Sequence, residues 1–253
     1  MDQLLTRSQV IGLKIQRFLD LILFIPVGYA TVLFMHLIQK NTFINLDELR
    51  KRYKEITKER KATLICANHL TMFDSIYIHY ALSSVSGYIK EFRLFSWNIP
   101  AVESFKTSLF ISIFTYLGKC IAIDRTGGSE HHKLILRKLK YLMMNGETVT
   151  MFPEGGRSRI GKLDVENVRY GAGTILQELE EYQVACIYMR ALSQNTYTTL
   201  PVKGDQIYLS IEVIEPKTEE KGNRGARDIS LQIMNKLKEM EDEFFRKYPD
   251  SRY

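Results

Sequence analysis

The sequence predicts an α/β fold, in which helices flank a mixed, largely parallel sheet and an apolar helical motif precedes it. Short apolar runs alternate with segments of helical periodicity along most of the 253 residues, and this alternation is typical of strand–helix units. Near the start of the chain, residues 21–38 contain no Lys, Arg, Asp or Glu. We therefore divide the chain into an N-terminal helical segment, residues 1–60, and an α/β domain, residues 61–253.

Five short apolar runs of the α/β domain predict strands. They lie at residues 62–67, 119–124, 148–152, 184–192 and 206–214. In the last run apolar residues alternate with others, which indicates one buried face. The alternating residues are Ile207, Leu209, Ile211 and Val213.

Four segments between and after these runs predict helices. They lie at residues 72–82, 130–144, 168–181 and 228–247. In the second, apolar residues recur at helical spacing, and Asn145-Gly146 marks its end. The third contains Gly171 and Gly173, small residues that permit close packing against the sheet, and the fourth is charged and amphipathic. Because ligands of such sheets collect beyond the carboxyl ends of strands, polar residues at those ends are candidates for function.

The apolar segment at residues 21–38 is at the lower length limit for crossing a bilayer. Pro26 and Gly28 interrupt it, and a proline bends or breaks a helix because it lacks a donor and clashes with the preceding turn. Three interpretations remain open: a membrane span, a bent hairpin that enters one leaflet, or a buried core helix. A basic stretch follows, which is typical of a solvated helix face and, beside an apolar segment, also attracts anionic headgroups. It contains Arg50, Lys51, Arg52, Lys54, Lys58, Arg60 and Lys61.

Lys and Arg total 35 against 29 Asp and Glu, and the net charge of +6 suits an anionic partner such as nucleic acid, an acidic lipid surface, a phosphorylated substrate or an acidic carrier protein. The sequence offers no basic face with interleaved aromatics, so we predict no nucleic-acid binding. Cys66, Cys120 and Cys186 lie in apolar runs without zinc-type spacing, which predicts buried thiols in a reducing compartment and no metal. We expect a membrane-associated protein at the cytoplasmic face of the inner membrane.

The first chemical motif is NHxxxxD at residues 68–74. His69 follows a predicted strand, and Asp74 lies in the first turn of the next helix. On a continuous helix five residues turn through about 140° and the side chains diverge, whereas a strand-to-helix turn folds back and lets them meet. Asp74 then accepts from one imidazole nitrogen, and the other nitrogen takes a proton from a hydroxyl, as in the base-and-orienter pair of serine proteases. The alternative is a stabilising hydrogen bond at a strand end.

Two further motifs follow predicted strands. GKCIAIDR ends in Arg125, whose planar fork of donors suits a phosphate. FPEGGRS, residues 152–158, offers Glu154 as an acceptor for a hydroxyl, Arg157 as a second cation, and glycines that let the backbone approach a ligand. A surface ion pair of Arg125 and an ordinary glycine-rich turn are the alternatives.

The three motifs NHxxxxD, GxxxxIDR and FPEGxRS, in that order, resemble those of the glycerolipid acyltransferase family, which includes the lysophosphatidic acid acyltransferases. The resemblance covers roughly residues 62–192. It implies that His69 is the general base, that Asp74 is its charge partner, and that the second and third motifs bind the glycerol phosphate of the acceptor. The predicted substrate-binding residues are Asn68, Arg125, Glu154, Gly155, Gly156 and Arg157.

The resemblance further implies acyl transfer from acyl-CoA or acyl carrier protein, as co-substrate, to the hydroxyl of a lysophospholipid, most of all 1-acylglycerol-3-phosphate, without another cofactor. No covalent enzyme intermediate is implied, so Cys66 should be dispensable. We expect backbone amides in the turn near His69 to hold the oxyanion that forms on the donor carbonyl.

Two departures from the family's pattern concern the acceptor rather than the base. Gly156 stands where the third motif usually has Thr, and residues 184–187 lack the usual proline of the fourth motif. An ornithine lipid or another lysolipid is therefore an alternative acceptor. A catalytically silent membrane-binding scaffold is the alternative from another class, and the intact motif residues argue against it.

Overall fold

The computed structural model describes residues 4–104 and 109–251, so the ends of the two predicted segments, at residues 1 and 253, lie outside the described residues. Within these ranges the strands are β1 Thr42–Phe43, β2 Ala62–Ala67, β3 Val149–Met151, β4 Tyr182–Ala191 and β5 Gln206–Ile214. They form one mixed sheet in the order β1-β5-β4-β2-β3. Strand β2 runs parallel to β3 and β4, and β1 runs parallel to β5, whereas β4 and β5 are antiparallel. The predicted α/β fold with a mixed, largely parallel sheet is confirmed.

Helices cover both faces of the sheet, because successive residues of the central strands point to opposite sides. The helices are α1 Arg7–Leu33, α2 Leu46–Ile56, α3 Asp74–Leu82, α4 Val85–Lys90, α5 Leu109–Tyr116, α6 Ser129–Met144, α7 Gly171–Leu176 and α8 Gly222–Lys247. Leu64 and Cys66 of β2 belong to a core shared with α6 and α8, whereas Ile65 and Ala67 belong to a core shared with α2 and α3.

The strand predicted at residues 119–124 is wrong. The segment makes isolated bridges through Cys120 and Ile123 to the stretch that follows α4, and it does not join the sheet as a strand. Its first residue, Lys119, has a left-handed φ of 51° and is buried, and its Nζ pairs with Glu147 at 2.5 Å. The chain here bends around a buried ion pair, which apolar content alone does not reveal.

The helix predicted at residues 168–181 is shorter than expected, because only Gly171–Leu176 is helical. Glycines weaken a helix, but here the absence of a side chain allows close packing. A Cβ at Gly173 would lie 1.9 Å from the carbonyl oxygen of Ala226, so α7 packs closely against α8 rather than against the sheet alone.

Helix α2 occupies the region that the sequence marked only as basic. Leu49 and Tyr53 face the core, while Lys51, Arg52 and Lys54 are exposed. The solvated-face interpretation of these basic residues therefore fits their position.

Helix α1 forms neither a hairpin nor a buried core helix. It runs unbroken through Pro26 and continues as a π-helical stretch over Phe34–Gln39, so no hairpin forms. Its most apolar 18-residue window has a mean hydropathy of 2.2 and is 11% buried, which does not fit a core helix. By length and composition, the stretch Arg7–Gln39 is able to cross a membrane, and it is compatible with membrane association.

Polar and aromatic contacts attach one face of α1 to the domain. The Gln16 amide donates to the Cys120 carbonyl at 3.0 Å, and Arg17 pairs with Glu147 at 2.6 Å. Further along the helix, Phe24 packs against the rings of Tyr88, Phe92 and Phe95. The opposite face carries exposed apolar side chains, including Ile11, Ile15, Phe18, Ile22, Ile25, Tyr29 and Leu33.

Candidate active site

His69 and Asp74 meet as the sequence predicts. The turn between β2 and α3 folds back, and the Nδ1 of His69 lies 2.9 Å from Oδ2 of Asp74. Asp74 is buried, whereas 20% of the His69 side chain is exposed. Because the carboxylate accepts from Nδ1, the other ring nitrogen, Nε2, is left as the acceptor. A ring nitrogen left free in this way can accept a proton, while the carboxylate orients the ring.

The Asp74 carboxylate also organises the backbone of the turn. It accepts from the amides of Leu70 and Thr71, at 2.7 and 2.9 Å, and from the hydroxyl of Thr71. The next amide, that of Met72, donates to the carbonyl of Thr198 at 3.2 Å. These amides are therefore engaged, and the expectation that the turn near His69 supplies the oxyanion donors is wrong for them.

Asn68 has a different position from the one predicted. Its side chain is buried and extends the pairing of β2 with β4, because its amide donates to the Met189 carbonyl at 2.9 Å and its oxygen accepts from the Met189 amide at 2.8 Å. Both ends of the side chain are occupied by backbone. The side chain of Asn68 therefore anchors the backbone just before His69 to β4, instead of making the predicted contact with substrate.

The loop 152–158, which follows β3, holds His69 from three directions. The Phe152 ring stacks on the imidazole with centroids 4.1 Å apart and planes 18° apart. The His69 amide donates to Oε1 of Glu154 at 2.9 Å, and the Ser158 amide donates to the His69 carbonyl at 2.8 Å. The first and third motifs thus form one unit, and the base cannot shift without breaking contacts of both.

Glu154 is buried and acts through the backbone. Its second oxygen accepts from the Asp164 amide at 3.2 Å, so both oxygens are taken by N–H groups. Burial raises the pKa of Glu154 to about 7, although the amides of His69 and Asp164 lower it. The structure therefore favours a positioning role for Glu154 over the predicted contact with a substrate hydroxyl.

Five arginines line one cavity together with His69. The sequence selected Arg125 and Arg157 as substrate-binding residues, and the structure adds Arg50, Arg159 and Arg169. Arg159 lies two residues beyond Arg157 and could have been selected as a further phosphate-binding residue of the same loop. Nothing in the sequence indicates a role for Arg169. Arg157 also packs over the Tyr197 ring, with 5.1 Å from Cζ to the centroid.

Gly155 is the point where this loop needs glycine. Its φ is +65°, a conformation that other residues adopt at a cost, and a Cβ there would lie 2.4 Å from Cγ of Arg169. Gly156, by contrast, has open space around the position of a Cβ. Both glycines line the cavity, as the sequence predicts for a backbone that approaches a ligand.

The cavity has a volume of about 1610 Å³ and joins two environments. Part of its wall is polar and holds His69 with Arg125, Arg157, Arg159 and Arg169. Another part consists of apolar and aromatic side chains of α1, α3 and α4, among them Phe24, Val27, Val32, Ile76, Val85 and Tyr88. The cavity therefore offers a polar and an apolar compartment beside one base.

His79 also lines the cavity, but it is an unsuitable base. Its Nε2 bonds to the Ser96 hydroxyl at 2.7 Å, and burial lowers the pKa of His79 to about 3. The ring is thus neutral, and its Nε2 is already hydrogen-bonded.

A sequence model of the Acyltransferase family matches residues 47–190, more than half of the chain. The matched range contains His69, Asp74 and the residues of the other two motifs. A sequence search of curated proteins found no match.

Replacing Glu154 by Gln should change how stability depends on pH. The folded state holds the Glu154 proton more tightly than the unfolded chain, because its pKa is about 7 instead of the ordinary 4.5. This contribution to the free energy of unfolding is full below about pH 4.5 and is lost as the pH rises through about 7. Denaturant unfolding between pH 4.5 and 8 should show the wild type losing stability relative to Glu154→Gln.

The control is Glu166→Gln, which changes an exposed carboxyl of a neighbouring loop. A stability difference between wild type and Glu154→Gln that stays constant across this pH range would contradict the burial argument.

Proposed function

Because the chain belongs to the Acyltransferase family, and is thus an enzyme that transfers acyl groups, we propose that it moves a fatty acyl chain from a thioester donor to a lipid hydroxyl. The donor is acyl-CoA or acyl carrier protein. The acceptor we favour is a lysophospholipid, 1-acylglycerol-3-phosphate. The observation that carries the proposal is the hydrogen bond between His69 and Asp74 beside a cavity lined by guanidinium groups.

The proposed mechanism is general-base catalysis. Asp74 keeps the ring proton of His69 on Nδ1, so Nε2 accepts the proton of the acceptor hydroxyl. The hydroxyl oxygen bonds to the carbonyl carbon of the thioester, and the carbonyl electron pair moves to its oxygen. Collapse of this intermediate breaks the carbon–sulfur bond, and the thiolate takes the proton from His69. No side chain of the enzyme is acylated in this sequence.

The preference for a phosphate-bearing acceptor rests on charge. Arg125, Arg157, Arg159 and Arg169 line the same cavity as His69, and guanidinium groups bind phosphate oxygens through paired donors. The apolar compartment next to them suits the hydrocarbon part of a lipid.

A different lipid acceptor, such as an ornithine lipid or another lysolipid, is the second candidate. The observation that favours it is at Gly156, where nothing lies within 4 Å of the position of a Cβ. The Thr usual in the family is thus replaced by open space, which admits a larger headgroup.

We place the enzyme at the cytoplasmic face of the inner membrane, with the face of α1 that carries the exposed apolar side chains in the lipid. Support comes from the exposed apolar side chains of α1 and from the exposed basic residues of α2, which suit anionic headgroups. Because α1 also forms a wall of the cavity, a lipid bound there would lie close to the bilayer.

Replacing the base should abolish transfer. His69→Ala and Asp74→Asn are expected to lower kcat by about 10²- to 10⁴-fold, since a positioned base contributes that much. Transfer of a labelled acyl group from acyl-CoA to 1-acylglycerol-3-phosphate in vesicles measures the effect. Cys66→Ala is the control, because this thiol is buried and no acyl-enzyme is proposed. Undiminished transfer by folded His69→Ala would sink the mechanism.

Arg157→Ala should separate the two candidate acceptors. If phosphate is the recognised group, KM for 1-acylglycerol-3-phosphate rises about tenfold or more, because a hydrogen bond to a charged group is lost. KM for a lysolipid without a terminal phosphate should change little. Arg246→Ala, on the exposed face of α8, is the control. The products of the wild type are identified by mass spectrometry. If the wild type shows no preference for the phosphate acceptor, the result supports the second candidate.

Substituting Phe18, Ile22 and Ile25 together by Ser should weaken membrane binding. Each apolar side chain of this size contributes roughly 1.5–3 kcal/mol on burial, so the loss on vesicles is at least tenfold. Flotation with vesicles that contain anionic phospholipid measures it. The control places three serines on the exposed face of α8, at Glu239, Glu243 and Arg246. Equal flotation of both triple variants would contradict the placement of α1.

A further inference from the structure

The proposed acyl transfer creates an oxyanion, and the amides that follow His69 are not free to bind it. Leu70 and Thr71 donate to Asp74, and Met72 donates to Thr198. The His69 amide itself donates to Glu154. Oxyanion donors contribute strongly to acyl transfer, so the question is which other amide near His69 is oriented towards the cavity.

The amide of Gly156 has no hydrogen-bond partner among the described residues, and Gly156 borders the same cavity as His69. Within residues 4–104 and 109–251, no hydrogen bond uses it as a donor. Gly156 lines the cavity that His69 also lines, and no atom fills the space where its Cβ would be. The loop around it is tied to His69 on both sides, by the Phe152 ring and the Ser158 amide.

Arg125 fixes the direction of this amide. Its Nη2 donates to the carbonyl oxygen of Gly155 at 2.5 Å. The described residues contain no cis peptide bond, and in a planar trans peptide the C=O and N–H groups point in opposite directions. Because Arg125 holds the carbonyl of the Gly155–Gly156 peptide on one side, the Gly156 N–H points away from Arg125 on the other.

The turn that carries Arg125 is itself held firmly. The Asp124 amide donates to Nε2 of His131 at 3.0 Å, and Nε2 of His132 bonds to the Asp124 carbonyl at 2.8 Å. The Thr126 amide donates to the Asp124 carboxylate at 2.9 Å. His131 and His132 of α6 thus hold the backbone of Asp124 by hydrogen bonds. The backbone position from which the Arg125 side chain extends is therefore fixed.

We infer that the Gly156 N–H is an oxyanion donor of the proposed acyl transfer and that Arg125 is its positioning residue. When the acceptor oxygen bonds to the thioester carbon, the carbonyl electron pair moves to oxygen, and the Gly156 N–H donates to it. When the carbon–sulfur bond breaks, the pair returns and the contact weakens. Arg125 thereby acts on the donor half of the reaction, in addition to the phosphate contact predicted from the sequence.

A pair of variants at Gly156 tests the donor. Proline removes the N–H, whereas alanine keeps it and fits the open space. We expect kcat of Gly156→Pro to lie about 100-fold below that of Gly156→Ala, the cost of losing one oxyanion donor. The rate is read as thiol release from a long-chain acyl-CoA, with and without 1-acylglycerol-3-phosphate. Equal rates of the two folded variants would overturn the inference.

Arg125→Ala provides a second test that does not depend on the folding of the proline variant. If Arg125 orients the Gly155–Gly156 peptide, kcat for thiol release falls about tenfold even when water is the acceptor. If Arg125 acts on the acceptor phosphate alone, this rate is unchanged, and the assigned positioning role is overturned. KM for acyl-CoA should stay near that of the wild type in either case.

The two hypotheses fail in different ways. A wild type that releases thiol but acylates no lysolipid overturns the proposed acceptor and leaves the Gly156 comparison intact. A wild type that cleaves no thioester overturns both. Transfer to a lysolipid that is insensitive to loss of the Gly156 N–H overturns the inference alone.

Discussion

The geometry of the site depends on the buried carboxylate of Asp74. A buried carboxylate is costly unless donors surround it, and this one is satisfied by a ring N–H, two amides and a hydroxyl from the five residues before it. The same contacts that compensate its burial force the turn to fold back and aim the imidazole of His69 outwards. Imidazole, carboxylate and turn are therefore one structure, and none of its parts is adjustable alone.

This turn in turn requires the loop that follows β3. Glu154 and Ser158 take up the amide and the carbonyl of His69, although they are 85 and 89 positions further along the chain. Parallel pairing of β2 with β3 brings the two loops to the same edge of the sheet. Two sequence motifs that look independent are thus halves of a single hydrogen-bonded arrangement. Arg125, Arg157, Arg159 and Arg169 line the cavity beside it.

Elements with a strong local signal could be predicted from the sequence. Strand Gln206–Ile214 and helix Ser129–Met144 follow their periodicity closely, and the His69/Asp74 contact follows from the strand-to-helix turn. The rest depends on distant partners. Neither the buried pairing of Lys119 nor the occupied side chain of Asn68 is visible in local sequence, because each is decided by groups far along the chain.

Helix α1 is at once a wall of the cavity and the bearer of an exposed apolar face. For the proposed lipid acceptor this changes the meaning of concentration. An enzyme whose substrate cavity opens beside a bilayer samples molecules per unit of membrane area rather than per litre. Its saturation then follows the mole fraction of acceptor among the surrounding lipids, and adding inert phospholipid at constant total acceptor slows it by surface dilution.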